Sequence, residues 1–129
     1  MKTRVLLVDD ERDFLDIMAE RIRARGMAVT TATSAEEAAK LVEKGSYDIV
    51  IMDFMMPAMD GLKALKLLKD IQPEIQVILL TGDAAADKCS EALRLGALDV
   101  IEKPADLSLL IQKIKDAKAR KPNPSTCNQ

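Results

Sequence analysis

The feature that most constrains the fold is a fivefold alternation of short apolar runs with segments of helical period. Four runs are almost continuously apolar, which is typical of strands buried on both faces of a parallel sheet. One run is half polar and fits an edge strand. In chain order the runs are Val5–Val8, Met27–Ala32, Ile49–Met52, Val77–Leu80 and Leu98–Ile101. The alternation predicts an α/β fold with a doubly wound, five-stranded parallel sheet covered by helices on both faces.

Capping residues and glycines mark where the predicted helices begin and end. The segment from Ser34 to Glu37 has the pattern of a capping box and opens the second helix. Gly26, Gly45 and Gly96 follow helical segments, where a left-handed residue commonly ends a helix. We expect one domain over residues 1–120 and a disordered tail or linker stub over residues 121–129, where helical period is lost.

Composition excludes several functional classes. The chain has no histidine, so a Ser-His or Cys-His nucleophile pair, a His-ligated metal and a phosphohistidine carrier cannot be built from it alone. A net charge of −2 and the absence of Trp argue against direct nucleic-acid binding. No stretch approaches the ~18 apolar residues of a spanning helix, so we expect no membrane insertion. Cys89 and Cys127 form no disulfide framework, which favours the reducing cytoplasm.

Polar side chains follow each of the four strongly apolar runs. In chain order they are Asp9-Asp10, Asp53, Thr81 and Glu102-Lys103. Because the carboxyl ends of parallel strands meet at one edge of a sheet, we expect these groups to converge. Clustered carboxylates repel one another, and a bound Mg²⁺, which prefers oxygen ligands, would relieve that repulsion. An aspartate can attack phosphorus, while a lysine and a threonine can neutralise and hydrogen-bond phosphoryl oxygens.

Taken singly, each of these residues also has an ordinary structural interpretation. Asp9 and Asp10 could cap the first helix, where negative charge meets the positive end of the helix dipole. Asp53 could be a loop aspartate, Thr81 a turn hydroxyl and Lys103 a surface lysine. Their joint occurrence at four strand ends favours a site for phosphoryl transfer.

Four short motifs resemble those of the receiver domain of bacterial two-component response regulators. They are Val8–Glu11, Asp53–Gly61, Thr81-Gly82 and Lys103-Pro104. The resemblance covers roughly residues 3–119, which is nearly the whole predicted fold. It implies the flavodoxin-like strand order 2-1-3-4-5. It also implies a signalling domain that assists only its own phosphorylation and dephosphorylation, not an enzyme with a separate substrate.

The resemblance further implies how phosphate and metal would be held. Asp53 would accept a phosphoryl group from a sensor histidine kinase, a phosphotransfer protein or a small acyl phosphate. Asp10 and Asp53 would bind Mg²⁺ directly, and the backbone carbonyl of Met55 would be a further ligand. Asp9 would act on the metal through water.

Two further residues would respond to the phosphoryl group. Thr81 and Lys103 would sense and hold it, with a cis peptide bond before Pro104 aiming the lysine inward. One position departs from the family pattern. Val100 stands where an aromatic residue often turns inward with the threonine, so we expect coupling from Thr81 to the output face to be weaker or to use other groups.

Three functional hypotheses follow from these residues. The favoured one is a phosphorylation-activated switch in which modification of Asp53 changes a partner-binding surface. The second is a pseudo-receiver interaction module, which expects the loss of a pocket residue, and none is lost. The third is an aspartyl-phosphate phosphatase or phosphotransferase, which usually needs an acid where Met55 stands. The downstream partner is unknown, and homodimerisation through the last two βα units stays open.

Overall fold

Five parallel strands form the central sheet in the computed structural model, which describes residues 2–56, 59–82, 86–103 and 106–120. The strands are β1 (Arg4–Val8), β2 (Ala28–Ala32), β3 (Ile49–Asp53), β4 (Val77–Thr81) and β5 (Asp99–Glu102). They are hydrogen-bonded in the order β2-β1-β3-β4-β5, and each neighbouring pair is parallel. The predicted strand order is therefore confirmed, with the half-polar β2 at one edge.

The strand boundaries differ from the apolar runs at the ends that matter most for function. β3 and β4 extend one residue past their apolar runs, to Asp53 and Thr81. These two residues are thus strand residues held by the sheet, and the interpretation of Asp53 as a loop aspartate is wrong. A separate pair of two-residue antiparallel strands follows β3 and consists of Met55–Met56 and Met59–Asp60. Two residues are too few to show a period of two, so no sequence pattern could reveal this pair.

In the described parts of the chain, five helices cover the sheet in two layers. They are α1 (Arg12–Arg23), α2 (Ala35–Lys44), α3 (Gly61–Ile71), α4 (Ala86–Arg94) and α5 (Leu107–Arg120). Side chains along a strand alternate between faces. Ile49 and Ile51 accordingly pack with α1 and α5, whereas Val50 and Met52 pack with α2, α3 and α4. The predicted arrangement with helices on both faces is confirmed.

The predicted helix ends are confirmed at all but one position. The Ser34 hydroxyl accepts the Glu37 backbone N–H at 3.1 Å, which is one half of a capping box. In return the Glu37 carboxylate accepts the backbone N–H of Thr33, one residue before the N-cap, at 2.8 Å. Gly26 and Gly96 have positive φ angles of 88° and 108°. The expectation of a left-handed Gly45 is wrong, because its φ is −145°. Gln72 of the next βα unit explains the difference, since its side-chain amide donates to the carbonyls of Val42 and Gly45 at 3.2 and 3.1 Å. A left-handed turn is then not needed to satisfy the end of α2.

Two further predictions concern membrane insertion and the C-terminal tail. Within the described ranges, no helix combines the length and apolar character needed to cross a membrane. The predicted tail, residues 121–129, lies outside the described residues, so its disorder stays a prediction.

Candidate functional site

Three aspartates meet at the carboxyl edge of the sheet. Asp9 and Asp10 follow β1, and Asp53 ends the adjacent strand β3. One carboxylate oxygen from each lies within 4.8 Å of the others. Asp9 and Asp53 are buried, with 1% and 8% of their surface exposed, whereas Asp10 is exposed. The predicted convergence of these residues is confirmed, and it places like charges together where water only partly screens them.

Lys103 brings positive charge to this cluster from the far edge of the sheet. It follows β5, and its backbone N–H donates to the carbonyl of Thr81 at 2.7 Å. Its ammonium lies 3.1 Å from Asp9 Oδ2 and 3.5 Å from Asp53 Oδ1. The interpretation of Lys103 as an ordinary surface lysine is therefore wrong. Among the described residues, one ammonium lies beside the cluster of three carboxylates, so it balances only part of their charge.

Burial and neighbouring charge act in opposite directions on the pKa of Lys103. Burial is the largest single cause and lowers the pKa, because it disfavours the ammonium form. The hydrogen bond to Asp9 and the negative charges of Asp53 and Asp9 raise it. Together these attractions outweigh burial, so the pKa of Lys103 lies above its ordinary value. The lysine is consequently protonated at neutral pH.

Asp9 is fixed by the local backbone. Its Oδ1 accepts the backbone N–H of Glu11 at 2.9 Å, and its own N–H donates to the carbonyl of Ala32 at 3.1 Å. Glu11, not Asp9 or Asp10, is the N-cap residue of α1, and its side chain makes no capping hydrogen bond. The interpretation of the two aspartates as helix caps is therefore wrong in detail. Asp9 shapes the turn before the helix while its second oxygen faces Lys103.

Thr81 ends β4 beside the acidic cluster. Asp53 is paired with Leu80 in the register between β3 and β4, which puts Thr81 one residue beyond it at the same edge. Thr81 is buried, with 3% of its surface exposed. Among the described residues, an added Cβ at the next residue, Gly82, would meet nothing within 4 Å.

Two residues near the site carry roles that the sequence analysis missed. A Cβ at Gly61 would lie 2.7 Å from the Phe54 carbonyl oxygen, so only glycine lets α3 begin against the residue that follows Asp53. Its position in the Asp53–Gly61 motif was a signal for this contact. The ring of Phe14 lies 4.8 Å from the Lys103 ammonium. The spacing of Phe14 along the first helix indicated only a contact with the core, so no sequence signal pointed to its contact with Lys103.

The remaining predicted site features are only partly described. Met55 begins the short strand two residues after Asp53, and its carbonyl stays a predicted ligand. Pro104 lies outside the described residues, so the isomer of its peptide bond stays a prediction. Val100 is half-buried in β5 and packs against the core on the side of α2, α3 and α4.

Comparisons with known proteins agree with this geometry. A family model described as the response regulator receiver domain matches residues 5–115. The response regulator SaeR of Staphylococcus epidermidis is 39% identical over 118 residues, which make up 92% of this chain and 51% of that protein. The chain thus spans about half the length of this curated relative.

Solved structures support the same relationship. A response regulator receiver domain from Clostridium thermocellum is 32% identical, with a TM-score of 0.88 over 92% of this chain and 96% of that one. A response regulator from Burkholderia pseudomallei, whose structure contains a phosphorylated aspartic acid, a calcium ion and citrate, is 26% identical. Its TM-score is 0.80 over 92% of this chain and 72% of that one.

The matched region contains the whole acidic cluster, from Asp9 to Lys103, and all five strands except the first residue of β1. The family's defining motifs and its strand order thus occur together in one chain. The chain belongs to the response regulator receiver domain family, the phosphorylation-activated signalling domains of two-component systems.

Proposed function

We propose that Asp53 is the residue that this receiver domain uses to accept a phosphoryl group. The donor would be the phosphohistidine of a sensor histidine kinase or phosphotransfer protein, because this chain has no histidine of its own. The modified domain would then present a changed surface to a downstream partner. We assign this activity to residues 1–120 and place it in the cytoplasm, a setting that suits the free thiol of Cys89.

The observation that carries the proposal is the meeting of three carboxylates and one ammonium at a single edge of the sheet. Carboxylates that are buried together repel one another strongly, because water only partly screens their charges. Here the carboxylates outnumber the cation three to one within the described residues. Such an excess of negative charge favours the binding of a further cation.

The donor set fits Mg²⁺. The cluster offers only oxygen ligands, which hard divalent cations prefer over the nitrogen and sulfur ligands of zinc sites. Asp10 and Asp53 would hold the ion directly, Asp9 would act through water, and the Met55 carbonyl would be a further ligand. The ion would supply positive charge that offsets the carboxylates and the oxygens of the incoming phosphoryl group. The structure of the Burkholderia pseudomallei relative contains a calcium ion together with a phosphorylated aspartic acid, which supports the proposal of a divalent metal.

Each protein group has a separate task in the transfer. A carboxylate oxygen of Asp53 forms a bond to phosphorus while the bond between phosphorus and the donor's imidazole nitrogen breaks, and the nitrogen keeps the electron pair. Lys103, protonated and 3.5 Å from Asp53, would offset charge on the phosphoryl oxygens. The Thr81 hydroxyl would donate a hydrogen bond to one of them. The product is an acyl phosphate on Asp53.

Intact-mass spectrometry after incubation with acetyl phosphate tests this proposal. The parent protein is expected to gain one phosphoryl group in Mg²⁺ and none in excess chelator. Asp53→Asn should gain none. Asp48→Asn, which changes an equally buried aspartate just before the same strand, is the matched control and should be modified like the parent. An adduct that persists in Asp53→Asn, or a parent that is never modified, would overturn the assignment.

A further inference from the structure

The Lys103 ammonium has a neighbour that is not a carboxylate. Phe14, the third residue of α1, places its ring centroid 4.8 Å from Lys103 Nζ. This distance lies within the range of a cation–π interaction, in which the negative face of the ring attracts the cation. The ammonium thus has neighbours of two kinds, the carboxylates of Asp9 and Asp53 and the aromatic ring of Phe14.

The carboxylate contacts of Lys103 are those that the proposed function would disturb. A divalent cation bound at the cluster competes with the ammonium for Asp9 and Asp53. Phosphorylation then converts the Asp53 carboxylate into an acyl phosphate. Phe14 carries no charge and no metal ligand atom, so neither event changes its attraction for the ammonium. The ring contact is the part of the Lys103 environment that can persist through the whole cycle.

Such a fixed contact matters because a lysine side chain is long and flexible. Its ammonium sits on a four-carbon stem with many accessible rotamers, so it can occupy many positions once a partner is lost. We infer that Phe14 is a positioning residue for Lys103: its ring keeps the ammonium at the acidic site when metal or phosphate occupies the carboxylates. This inference rests on the proposed function and assigns a role to a helix residue outside the family motifs.

A packing role alone would not require an aromatic ring. Phe14 is half-buried and packs against the apolar cluster between the sheet, α1 and α5. Leucine would fill much of the same space but lacks the ring face. Phe14→Leu therefore separates the two roles, and Phe14→Tyr, which keeps the ring, tests for rescue. Leu98→Ala is a matched control, since Leu98 also packs against that cluster from a half-buried position.

Nuclear magnetic resonance reports the contact directly, because protons above an aromatic ring are shifted upfield. The Lys103 Hε protons are expected upfield in the parent, in Phe14→Tyr and in Leu98→Ala, and near ordinary values in Phe14→Leu. The shift should remain after Mg²⁺ is added to the parent. An Hε shift that disappears with Mg²⁺, or that is unchanged in Phe14→Leu, would overturn the inference.

The rate of phosphorylation by acetyl phosphate, followed by intact mass, supplies the functional test. Phe14→Leu should be modified about two- to fivefold more slowly than the parent, as expected from losing one partly exposed cation–π contact. Phe14→Tyr should react at the parental rate. Equal rates for Phe14→Leu and the parent would overturn the positioning role alone. A parent that forms no adduct would contradict the proposed function, which is a different result.

Discussion

Two aspartates at opposite ends of β3 have the same exposed fraction but differ in how their charge is balanced by neighbouring groups. Asp48 lies just before the strand and Asp53 ends it, and each has 8% of its surface exposed. The carboxylate of Asp48 accepts the backbone N–H of Arg4 at 2.8 Å and lies 3.4 Å from the ammonium of Lys118. Asp53 instead shares one ammonium, that of Lys103, with the Asp9 carboxylate.

The two aspartates therefore differ in charge balance and not in burial, in keeping with a structural role for Asp48 and the phosphoacceptor role proposed for Asp53. Around Asp48 the hydrogen bonds join distant elements: Gln76 donates to the Asp48 carbonyl at 3.2 Å and to the Ala117 carbonyl of α5 at 2.6 Å. The amino edge of the sheet is thereby tied to the last helix. The carboxyl edge around Asp53 keeps an excess of negative charge, which a metal and a phosphoryl group can use.

The largest expected effect is on stability at the amino edge. Asp48→Ala should lower the free energy of unfolding by about 3 kcal/mol, because it leaves the Arg4 N–H and the Lys118 ammonium without their shared acceptor. Equilibrium urea unfolding measures the loss. A decrease below about 0.5 kcal/mol would show that Asp48 is no more structural than Asp53 and would remove the contrast.

Addition of Mg²⁺ should stabilise the parent by nearly as much. At a hundredfold excess over the dissociation constant, binding to the folded state alone adds about 2.7 kcal/mol. The same gain is expected in Asp48→Asn, whereas Asp53→Asn should lose most of it. Urea unfolding in Mg²⁺ and in chelator gives both values. Equal stabilisation of the two variants would mean that the ion binds away from the acidic cluster.

In the absence of divalent ions, removal of the Asp53 charge should have a smaller effect of the opposite sign to that of Asp48→Ala. We expect Asp53→Asn to raise the free energy of unfolding by about 1 kcal/mol, because relief of repulsion from two nearby carboxylates exceeds the loss of one shared ion pair. Urea unfolding in chelator tests it. A destabilised Asp53→Asn would indicate that Lys103 already balances the cluster.

The smallest expected effect is on stability in alkaline solution, where two lysines, Lys69 and Lys103, can be compared in the same way. Burial lowers the pKa of Lys69, whose ammonium donates to the neutral carbonyl of Ile75 at 2.6 Å. The pKa of Lys103 is raised, since its hydrogen bond to Asp9 and the carboxylate charges outweigh burial. Lys103 therefore adds stability that is fully present below the unfolded pKa of about 10.4 and is lost as pH rises through the higher folded value. Lys69 imposes a cost that is fully present below its lowered folded pKa and is relieved as pH rises through about 10.4.

Unfolding of the parent, Lys103→Met and Lys69→Met from about pH 8 to about pH 11 separates these contributions. The deficit of Lys103→Met relative to the parent should shrink at the alkaline end of this range. The free energy of unfolding of Lys69→Met relative to the parent should change with pH in the opposite direction. Parallel changes in the two variants would contradict the assigned environments.

The sequence was sufficient to predict features that depend on local pattern and on parallel topology. The alternating runs predict the sheet, and the shared carboxyl edge brings Asp9, Asp10, Asp53 and Lys103 together without any knowledge of side-chain contacts. Their chemical roles follow from the family resemblance and await experiment.

The features that could not be predicted depend on contacts between distant segments. The side chain of Gln72, 27 residues beyond Gly45, donates the hydrogen bonds that satisfy the end of α2. The local signal for a left-handed glycine was therefore misleading. Phe14 lies on the apolar face of α1, and nothing in its spacing distinguishes a core ring from one that also faces Lys103. Such contacts arise only when helices pack on the sheet, which is why periodicity does not report them.

The most direct test of the central claim is to locate the acyl phosphate within the chain. The 129-residue chain would be phosphorylated with acetyl phosphate in Mg²⁺ and reduced with borohydride, which converts an aspartyl phosphate to homoserine. Tandem mass spectrometry then identifies the converted residue. We expect homoserine at position 53 and unchanged aspartate at position 48. Conversion at Asp48, at Asp9 or at Asp10 in place of Asp53 would contradict the account.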